Sequence, residues 1–552
     1  MSAASNSQLS GNPDWWRGAV IYQIYPRSYQ DSTGNGVGDI KGITERLDHI
    51  KSLGVDAIWL SPFFTSPMKD FGYDVSDYCG VDPVFGTLDD FDVMVARAHD
   101  LGLRVMIDQV LSHSSDQHPW FGESRADKTN SKADWYVWAD AKADGTPPNN
   151  WQSVFGGSAW TWDARRCQYY LHNFLNSQPD LNFHIMEVQD ALLDTVRFWL
   201  ERGVDGFRLD TVNFYVHNAD LTDNPPADRS AGAGIDAPEV NPYGYQQHIH
   251  DKTQPENIPF LKRFRALLDS YPGAAAVGEV GDGSRSLQTM AEYTAGDDLL
   301  QMCYSFDMLG PKFSPEHFRG CVEAFTEASD RFADGTSWPC WAFSNHDVQR
   351  HMTRWAEHCD DPMQLAGFAV QLLTSLRGSV CIYQGEELGL PEADVAFEDL
   401  VDPYGITFWP EFKGRDGCRT PMVWTKTGPQ AGFSDANKTW LPVPQEHLPL
   451  AVDQQAGQPA SAMEQYRTHL HWRAGRPSLI TGEITFHDAP EGALVFTRET
   501  EGEVTFCAFN LGAAPVTIPL PAEATPLKGV GFDKETLVLT PISAAFAEVT
   551  QA

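Results

Sequence analysis

Short apolar runs that end in polar or acidic residues recur along the chain: VIYQIYP from Val20, AIWLSP from Ala57, RVMIDQVLSH from Arg104 and GFRLD from Gly206. The series continues with AAAVGE from Ala274, CYSFD from Cys303, PCWAFSNHD from Pro339 and SVCIYQGEE from Ser379. Each run predicts a strand buried on both faces. Helical-period stretches such as ITERLDHIKSLG and ALLDTVRFWLERG lie between them. Apolar strands alternating with helices predict an α/β fold with a parallel sheet covered on both sides. Eight such strands, with no Gly-rich phosphate loop opening the first helix, favour a closed (β/α)8 TIM barrel over a doubly wound sheet.

Two segments break the alternation. Residues 114–180 form a stretch of Trp, Gly, Asn and Asp far longer than the ~2 to 6 residues usual for a βα loop. It predicts a small rim domain inserted after the third strand. Beyond the helical stretch EQYRTHLHWRAG, apolar and polar residues alternate in ALVFTRE, EVTFCAFNL and TPISAAFAEV, separated by Gly and Pro. That pattern predicts a C-terminal antiparallel β domain, a sandwich over residues 478–552, and leaves 1–113 and 181–477 to the barrel. The Pro-, Gly- and Ala-rich region from Asp223 to Glu239 follows the fourth strand and reads as a rim loop of the active-site face.

Composition narrows the function. With 552 residues, 42% hydrophobic and 12% aromatic, the chain can bury a large core, which excludes disorder. Its 75 acidic against 40 basic residues give a formal charge of −35, a field that repels nucleic acid and anionic lipid surfaces. Nine cysteines without a C-x-x-C pair suit reduced thiols. The start, MSAASNSQLSGNPDWW, has neither a basic nor an apolar leader region, and no run of about 18 apolar residues occurs. A cytoplasmic protein without a membrane span is expected.

In a barrel of this kind the reacting groups stand at the C-terminal ends of strands. Asp210, Glu279 and Asp347 all close apolar runs. Arg208 lies two residues before Asp210, so strand periodicity puts both side chains on one side, where the guanidinium should keep the carboxylate ionised. Glu279 follows AAAVG, and removal from water should raise its pKa and keep its proton at neutral pH. A carboxylate and a carboxylic acid with separated pKa values are what cleavage of a glycosidic bond requires. His113 and His346 close neighbouring runs and would donate hydrogen bonds to sugar hydroxyls. Of the 17 tryptophans, most belong to the core, although some could offer apolar faces to a pyranose ring.

DQVLSH, GFRLDTVN, GEV and SNHD resemble, in order and on the expected strands, the four signature stretches of glycoside hydrolase family 13, the α-amylase superfamily. QPDLN from Gln178 and IYQIYPRSYQDSTGNGVGD near the start are similar to its α-glucosidase and oligo-1,6-glucosidase branch, whose members act on short substrates from the non-reducing end. The resemblance implies that Asp210 is the nucleophile, Glu279 the general acid/base and Asp347 the carboxylate that grips the sugar hydroxyls, with retention of α configuration. Arg208 matches the arginine that orients the nucleophile, Asp108 a supporting carboxylate, His113 and His346 the histidines on the glucosyl ring, and Tyr73 its aromatic platform. Asp74 is similar to the residue that meets an arginine of RDGCRTPM and closes the pocket, with Arg415 the chosen partner and Arg419 its rival. A closed end implies exo action. Thr211, directly after the nucleophile, matches α-1,4-acting relatives more than α-1,6-acting ones.

The stretch from Asp31 to Asp39 sets oxygen-bearing side chains at alternate positions around glycines, as a hard-cation loop does. Gly42 stands where an EF-hand needs Glu, so it is not an EF-hand. The resemblance implies a structural calcium or magnesium ion held by Asp31, Thr33, Asn35, Asp39 and the Val37 carbonyl, and no organic cofactor. The pairs His248/His250 and His469/His471 close no barrel strand and are read as incidental rather than as zinc ligands. The expectation is an exo-acting α-glucosidase on small α-glucosides and acceptor alcohols. The rival readings are a sucrose isomerase or other glucosyl-transferring relative, and a barrel that binds without catalysing.

Overall fold

The computed structural model describes residues 12–228, 237–333 and 335–550. Eight strands form the central sheet: β1 Val20–Ile24, β2 Ala57–Leu60, β3 Arg104–Gln109, β4 Gly206–Leu209, β5 Ala275–Val280, β6 Met302–Ser305, β7 Cys340–Ala342 and β8 Ser379–Tyr383. They pair in parallel in the order β6-β5-β4-β3-β2-β1-β8-β7. A single parallel bridge from Cys303 to Pro339 joins the two ends into a barrel. All eight predicted runs are these strands.

The near-continuous apolar runs follow from burial on two sides. Ile21, Trp59, Met106, Val277, Met302, Cys340 and Cys381 point inward and form one core. Val20, Tyr22, Ile58, Leu60, Val105 and Ile107 alternate with them and join the core beneath the helices. The helix Ile40–Leu53 shows how the covering layer is specified. The Asp39 side chain accepts the Gly42 N–H at its start, Ile43, Leu47 and Ile50 are buried at helical spacing, and Gly54 ends it at φ 90. The next helix, Leu88–Asp100, opens with a Thr87/Asp90 capping box.

Between β3 and the helix Met186–Leu200, strands Trp138–Ala139, Trp160–Asp163 and Gln168–Leu171 make a small antiparallel sheet. Its aromatic core includes Trp151 and Trp160, 6.0 Å apart. Residues 229–236 of the expected rim loop lie outside the described residues, while Ala237 and Pro238 line the main cavity.

After the helix Ala462–Ala474, a five-stranded antiparallel sheet contains Ala493–Thr500, Glu503–Asn510 and Ser543–Val549 at its centre. The antiparallel pair Val516–Pro519 with Thr536–Leu539 packs on one face, where its Ile518 and Leu537 join Val495 and Phe506 of the sheet in one core. The other face, with Phe496, Phe509 and Phe546, merges with the barrel's outer core.

Arg498 ties this sheet to the barrel. It is fully buried and donates to the carbonyls of Ser375 at 2.7 Å, Leu376 at 2.8 Å and Gly482 at 2.8 Å. Burial pushes its guanidinium down to about 9. Replacing it would strand several buried carbonyls, each costing about 1 to 3 kcal/mol. R498M is therefore expected to lower the melting temperature by several degrees while leaving kcat/KM per active site within about twofold. An unchanged melting curve would show that water replaces the guanidinium at no cost.

Candidate active site

Strand register assembles the site. In the β3–β4 ladder Asp108 stands opposite Arg208, and in the β5–β6 ladder Glu279 stands opposite Tyr304. Arg208 is fully buried and acts as the hub of four groups. Its Nη1 donates to Asp108 Oδ1 at 2.8 Å and to Asp210 Oδ1 at 2.5 Å, while Nη2 pairs with Glu279 Oε1 at 2.6 Å. Nη2 also donates to the Tyr304 hydroxyl at 3.0 Å, and that hydroxyl donates to Glu279 Oε1 at 2.9 Å.

Asp210 directly follows β4, and the chain then turns through Thr211 at φ 42. A β-branched residue adopts this left-handed conformation only where its surroundings enforce it. The turn aims the Thr211 N–H at Glu279 Oε2, 3.0 Å away, and sets Thr211 Oγ1 3.3 Å from Asp210 Oδ2.

Asp347, just beyond β7, is held differently. Its Oδ1 accepts Arg415 Nη1 at 3.2 Å and Arg419 Nη2 at 3.0 Å, and Oδ2 lies 3.2 Å from His346 Nε2. Arg415 also donates to Asp70 Oδ1 and Asp402 Oδ1, both at 2.8 Å. Of these groups Asp70, Asp347 and Arg415 line a cavity of about 550 Å³, within the range of small-molecule sites, roughly 300 to 1,000 Å³. Tyr73, His113, Gln178, Asp210, Thr211, Glu279 and Asp347 line it on the polar side, and Phe155, Phe174, Phe214 and Phe306 on the apolar side.

Electrostatics separate the three carboxyls. Burial pushes both Asp210 and Glu279 up to about 7 against the pull of Arg208. At Asp347 burial also acts upward, but His346, Arg415 and Arg419 outweigh it and hold the carboxyl well below the usual range. Asp347 is thus a fixed anion. Asp210 and Glu279, competing for one guanidinium, hold about one proton between them near neutrality. Burial drives His113 down to about 3, so its imidazole is neutral.

Comparison with known proteins agrees with this geometry. The family model described as alpha amylase, catalytic domain, matches residues 23–482. This chain belongs to the α-amylase family. It is 58% identical over 542 residues, 97% of both chains, to a probable alpha-glucosidase of Rhizobium meliloti (strain 1021). An oligo-1,6-glucosidase of Heyndrickxia coagulans is 35% identical, over 92% of this chain and 94% of that one. Among solved structures, the alpha-glucosyl transfer enzyme XgtA superposes with a TM-score of 0.93 at 56% identity, covering 97% of this chain and 99% of that one. The protein is a glycoside hydrolase of the α-glucosidase group.

The structure gives the surroundings of the residues named from sequence, and for three of them these differ from what was expected. Asp74 does not meet Arg415. Its oxygens are taken by Ser66 Oγ at 2.9 Å and by the N–H groups of Lys69 at 2.9 Å and Asp70 at 3.0 Å, so it shapes the turn that presents Asp70 to the arginine. Arg208 does not favour Asp210 alone, because Glu279 reaches the same guanidinium. His346 stands behind the cavity wall. Its ring stacks on Tyr73 at 5.4 Å and on Tyr25 at 5.6 Å, and its nitrogens contact Gln23 and Tyr73. Tyr73 and His113 do line the cavity, and both arginines of RDGCRTPM reach Asp347.

Four polar groups were not singled out from sequence: Asp70, Gln178, Tyr304 and Asp402. Gln178 bridges Asp70 Oδ2 and His113 Nε2, 3.2 Å from each. Its place in QPDLN was the available signal. Of the histidine pairs, His248 contacts Asp251, and His469 contacts Thr374 and Lys528.

In the loop from Asp31 to Asp39, Asp31 Oδ1 accepts the N–H groups of Thr33 and Gly34 at 2.8 Å, and Oδ2 accepts Gly36 N–H at 2.7 Å and Ser434 Oγ–H at 2.5 Å. Asp39 accepts Ser32 N–H at 2.7 Å, and Asn35 accepts Val37 N–H at 2.8 Å. The donors are all hard oxygens, which suit calcium or magnesium. The loop also closes on its own hydrogen bonds.

Activity that needs a proton on Glu279 should fall as pH rises through about 7, because the carboxyl keeps its proton below that pH and loses it above. The Tyr304 O–H favours the ionised form, so Y304F is expected to move the alkaline limb of kcat/KM upward by about 0.5 to 1 pH unit. A limb that stays in place would detach it from Glu279.

Proposed function

We propose that the protein is a retaining, exo-acting α-glucosidase that releases α-glucose from the non-reducing end of short α-glucosides, with α-1,4 links preferred. The observation that carries this reading is the pair Asp210 and Glu279 on the two terminal nitrogens of one guanidinium, at 2.5 and 2.6 Å, in a cavity that Asp70, Arg415 and Asp347 also line. Two carboxyls that share one guanidinium support a retaining mechanism, in which the second carboxylate stands close enough to act as the nucleophile. Asp210 attacks the anomeric carbon while Glu279 gives its proton to the departing oxygen. Glu279, now a base, activates water or an acceptor alcohol, which displaces Asp210 and restores the α configuration. The anionic Asp347 and neutral His113 receive and donate hydrogen bonds at the glucosyl ring, and Tyr73 lies beneath it.

Transfer to acceptor alcohols is part of the proposal. The apolar wall of Phe155, Phe174, Phe214 and Phe306 disfavours water beside the glucosyl-enzyme. XgtA, described as an alpha-glucosyl transfer enzyme, supports it. The trehalulose synthase MutB of Pseudomonas mesoacidophila MX-45, with a TM-score of 0.86 at 30% identity over 98% of this chain and 100% of its own, keeps sucrose isomerisation as the second reading. All three carboxylates at one cavity weigh against a barrel that only binds. Nine unpaired cysteines support a cytoplasmic setting. Among the described residues no helix is long and apolar enough to cross a membrane.

D210N is expected to lower nitrophenyl α-glucoside hydrolysis by about three orders of magnitude or more, with an unchanged circular-dichroism spectrum. Proton NMR of a panel of maltose, isomaltose, sucrose and trehalose should show α-glucose first, fastest from maltose. Turnover retained in D210N, or β-glucose as first product, would end the reading, and isomerised sucrose would favour the second one.

We also propose that the loop from Asp31 to Asp39 binds a structural calcium or magnesium ion through Asp31, Thr33, Asn35, Asp39 and the Val37 carbonyl. Removing the ion with a chelator is expected to lower the melting temperature, and calcium or magnesium to restore it. A melting curve indifferent to both would leave a turn held by hydrogen bonds alone.

A further inference from the structure

The β4–β5 ladder stops short of the chemistry. Its last pair is Leu209 with Gly278, so Asp210 and Glu279 both stand beyond the final backbone pairing of their two strands. Arg208 bridges the two side chains, while the backbone segments that follow them need a tie of their own. Asn213, fully buried three residues after Asp210, is built for it. Its Nδ2 donates to Gly281 O at 3.0 Å, and its Oδ1 accepts Gly281 N–H at 3.2 Å. This two-bond pairing mimics one more rung of the ladder, made by a side chain.

The same residue holds a third segment. Its backbone carbonyl accepts the Thr253 N–H at 2.6 Å, and Nδ2 also reaches Thr253 Oγ1 at 2.9 Å. Thr253, like Thr211, is a β-branched residue at positive φ, 55 against 42. Two strained threonines therefore flank the asparagine, and such strain persists only where the surroundings overdetermine it. Lys252, beside Thr253, donates its Nζ to Gly281 O at 2.7 Å and to the Tyr243 hydroxyl at 2.9 Å. Gly281 is thus gripped from both sides, two residues after Glu279.

We propose that Asn213 is a positioning residue that sets the reach between Asp210 and Glu279 by substituting for the missing rung between β4 and β5. The proposal rests on the assignment of the chemistry to those two carboxyls. Loss of the rung would let the Thr211 turn and the Gly281 segment separate, weakening the Thr211 N–H bond to Glu279. A displacement of about 1 Å in such a site can cost roughly 100-fold in rate.

The test uses N213D, which keeps the shape and the acceptor but loses the donor to Gly281 O, and N213A, which loses both bonds. Rates are expressed per active site, titrated with a fluorinated glucosyl fluoride that traps the covalent intermediate. Both variants are expected to lose about 10- to 100-fold in kcat, with KM and competitive inhibition by glucose within about threefold. The alkaline limb should move to higher pH, further in N213D because its new negative charge opposes ionisation of Glu279. Wild-type kcat per titrated site with an unmoved limb overturns the proposal, whatever happens to the melting temperature. If neither variant accumulates as folded protein, Asn213 is a folding determinant and the proposal likewise fails. D210N separates the layers, since residual turnover there would remove the underlying assignment instead.

Discussion

The site depends on one buried cation. Arg208 has no exposed surface and meets Asp108, Asp210 and Glu279 within 2.8 Å. Alone, a guanidinium at this depth would be expensive, and so would three carboxyls. Together they make a cluster in which each group is tolerable only because the others are present. Burial and the guanidinium pull the carboxyl pKa values in opposite directions. The near balance leaves Asp210 and Glu279 within reach of a proton exchange near neutrality, while Asp347, with two arginines of its own, is kept out of it.

That division maps onto the architecture. The groups around Arg208 come from β3 to β6, with Asp210 just beyond β4, and strand register sets most of their neighbours. The groups around Asp347 and Arg415 come from loops, Asp70 after β2 and Asp402, Arg415 and Arg419 after β8, brought together across as many as 345 positions of sequence. A strand-built cluster and a loop-built cluster thus meet at one cavity. This is the usual partition in a barrel, where the scaffold tolerates variation in its rim.

The fold was legible because its signals are local. An apolar run closed by a polar residue is enough to mark a strand, and Asp39 or Thr87 before an amphipathic stretch is enough to mark a helix start. Asp210, Glu279 and Asp347 were legible as residues closing such runs. What sequence could not show was anything decided by a neighbouring strand or a folded turn. Arg208 sits two residues from Asp210, so it read as that residue's partner, and nothing in the order of residues shows Glu279 arriving from β5. In KDFGYD two aspartates compete for one arginine, and the turn from Ser66 to Asp74 consumes one and presents the other. Tyr304 lies in an apolar strand, and only the fold shows that its hydroxyl bonds both Arg208 and Glu279.

The barrel is not equally strong around its circumference. Seven of its joins are ladders, and the eighth, between β6 and β7, is the lone bridge from Cys303 to Pro339. Glu279 lies one strand from that seam, whereas Asp108 and Arg208 sit in the continuous arc opposite. That seam lies between Tyr304 on β6, which bonds Glu279, and Asp347 beyond β7, so the two ionic clusters of the site face each other across the join of the cylinder that has the fewest backbone bonds.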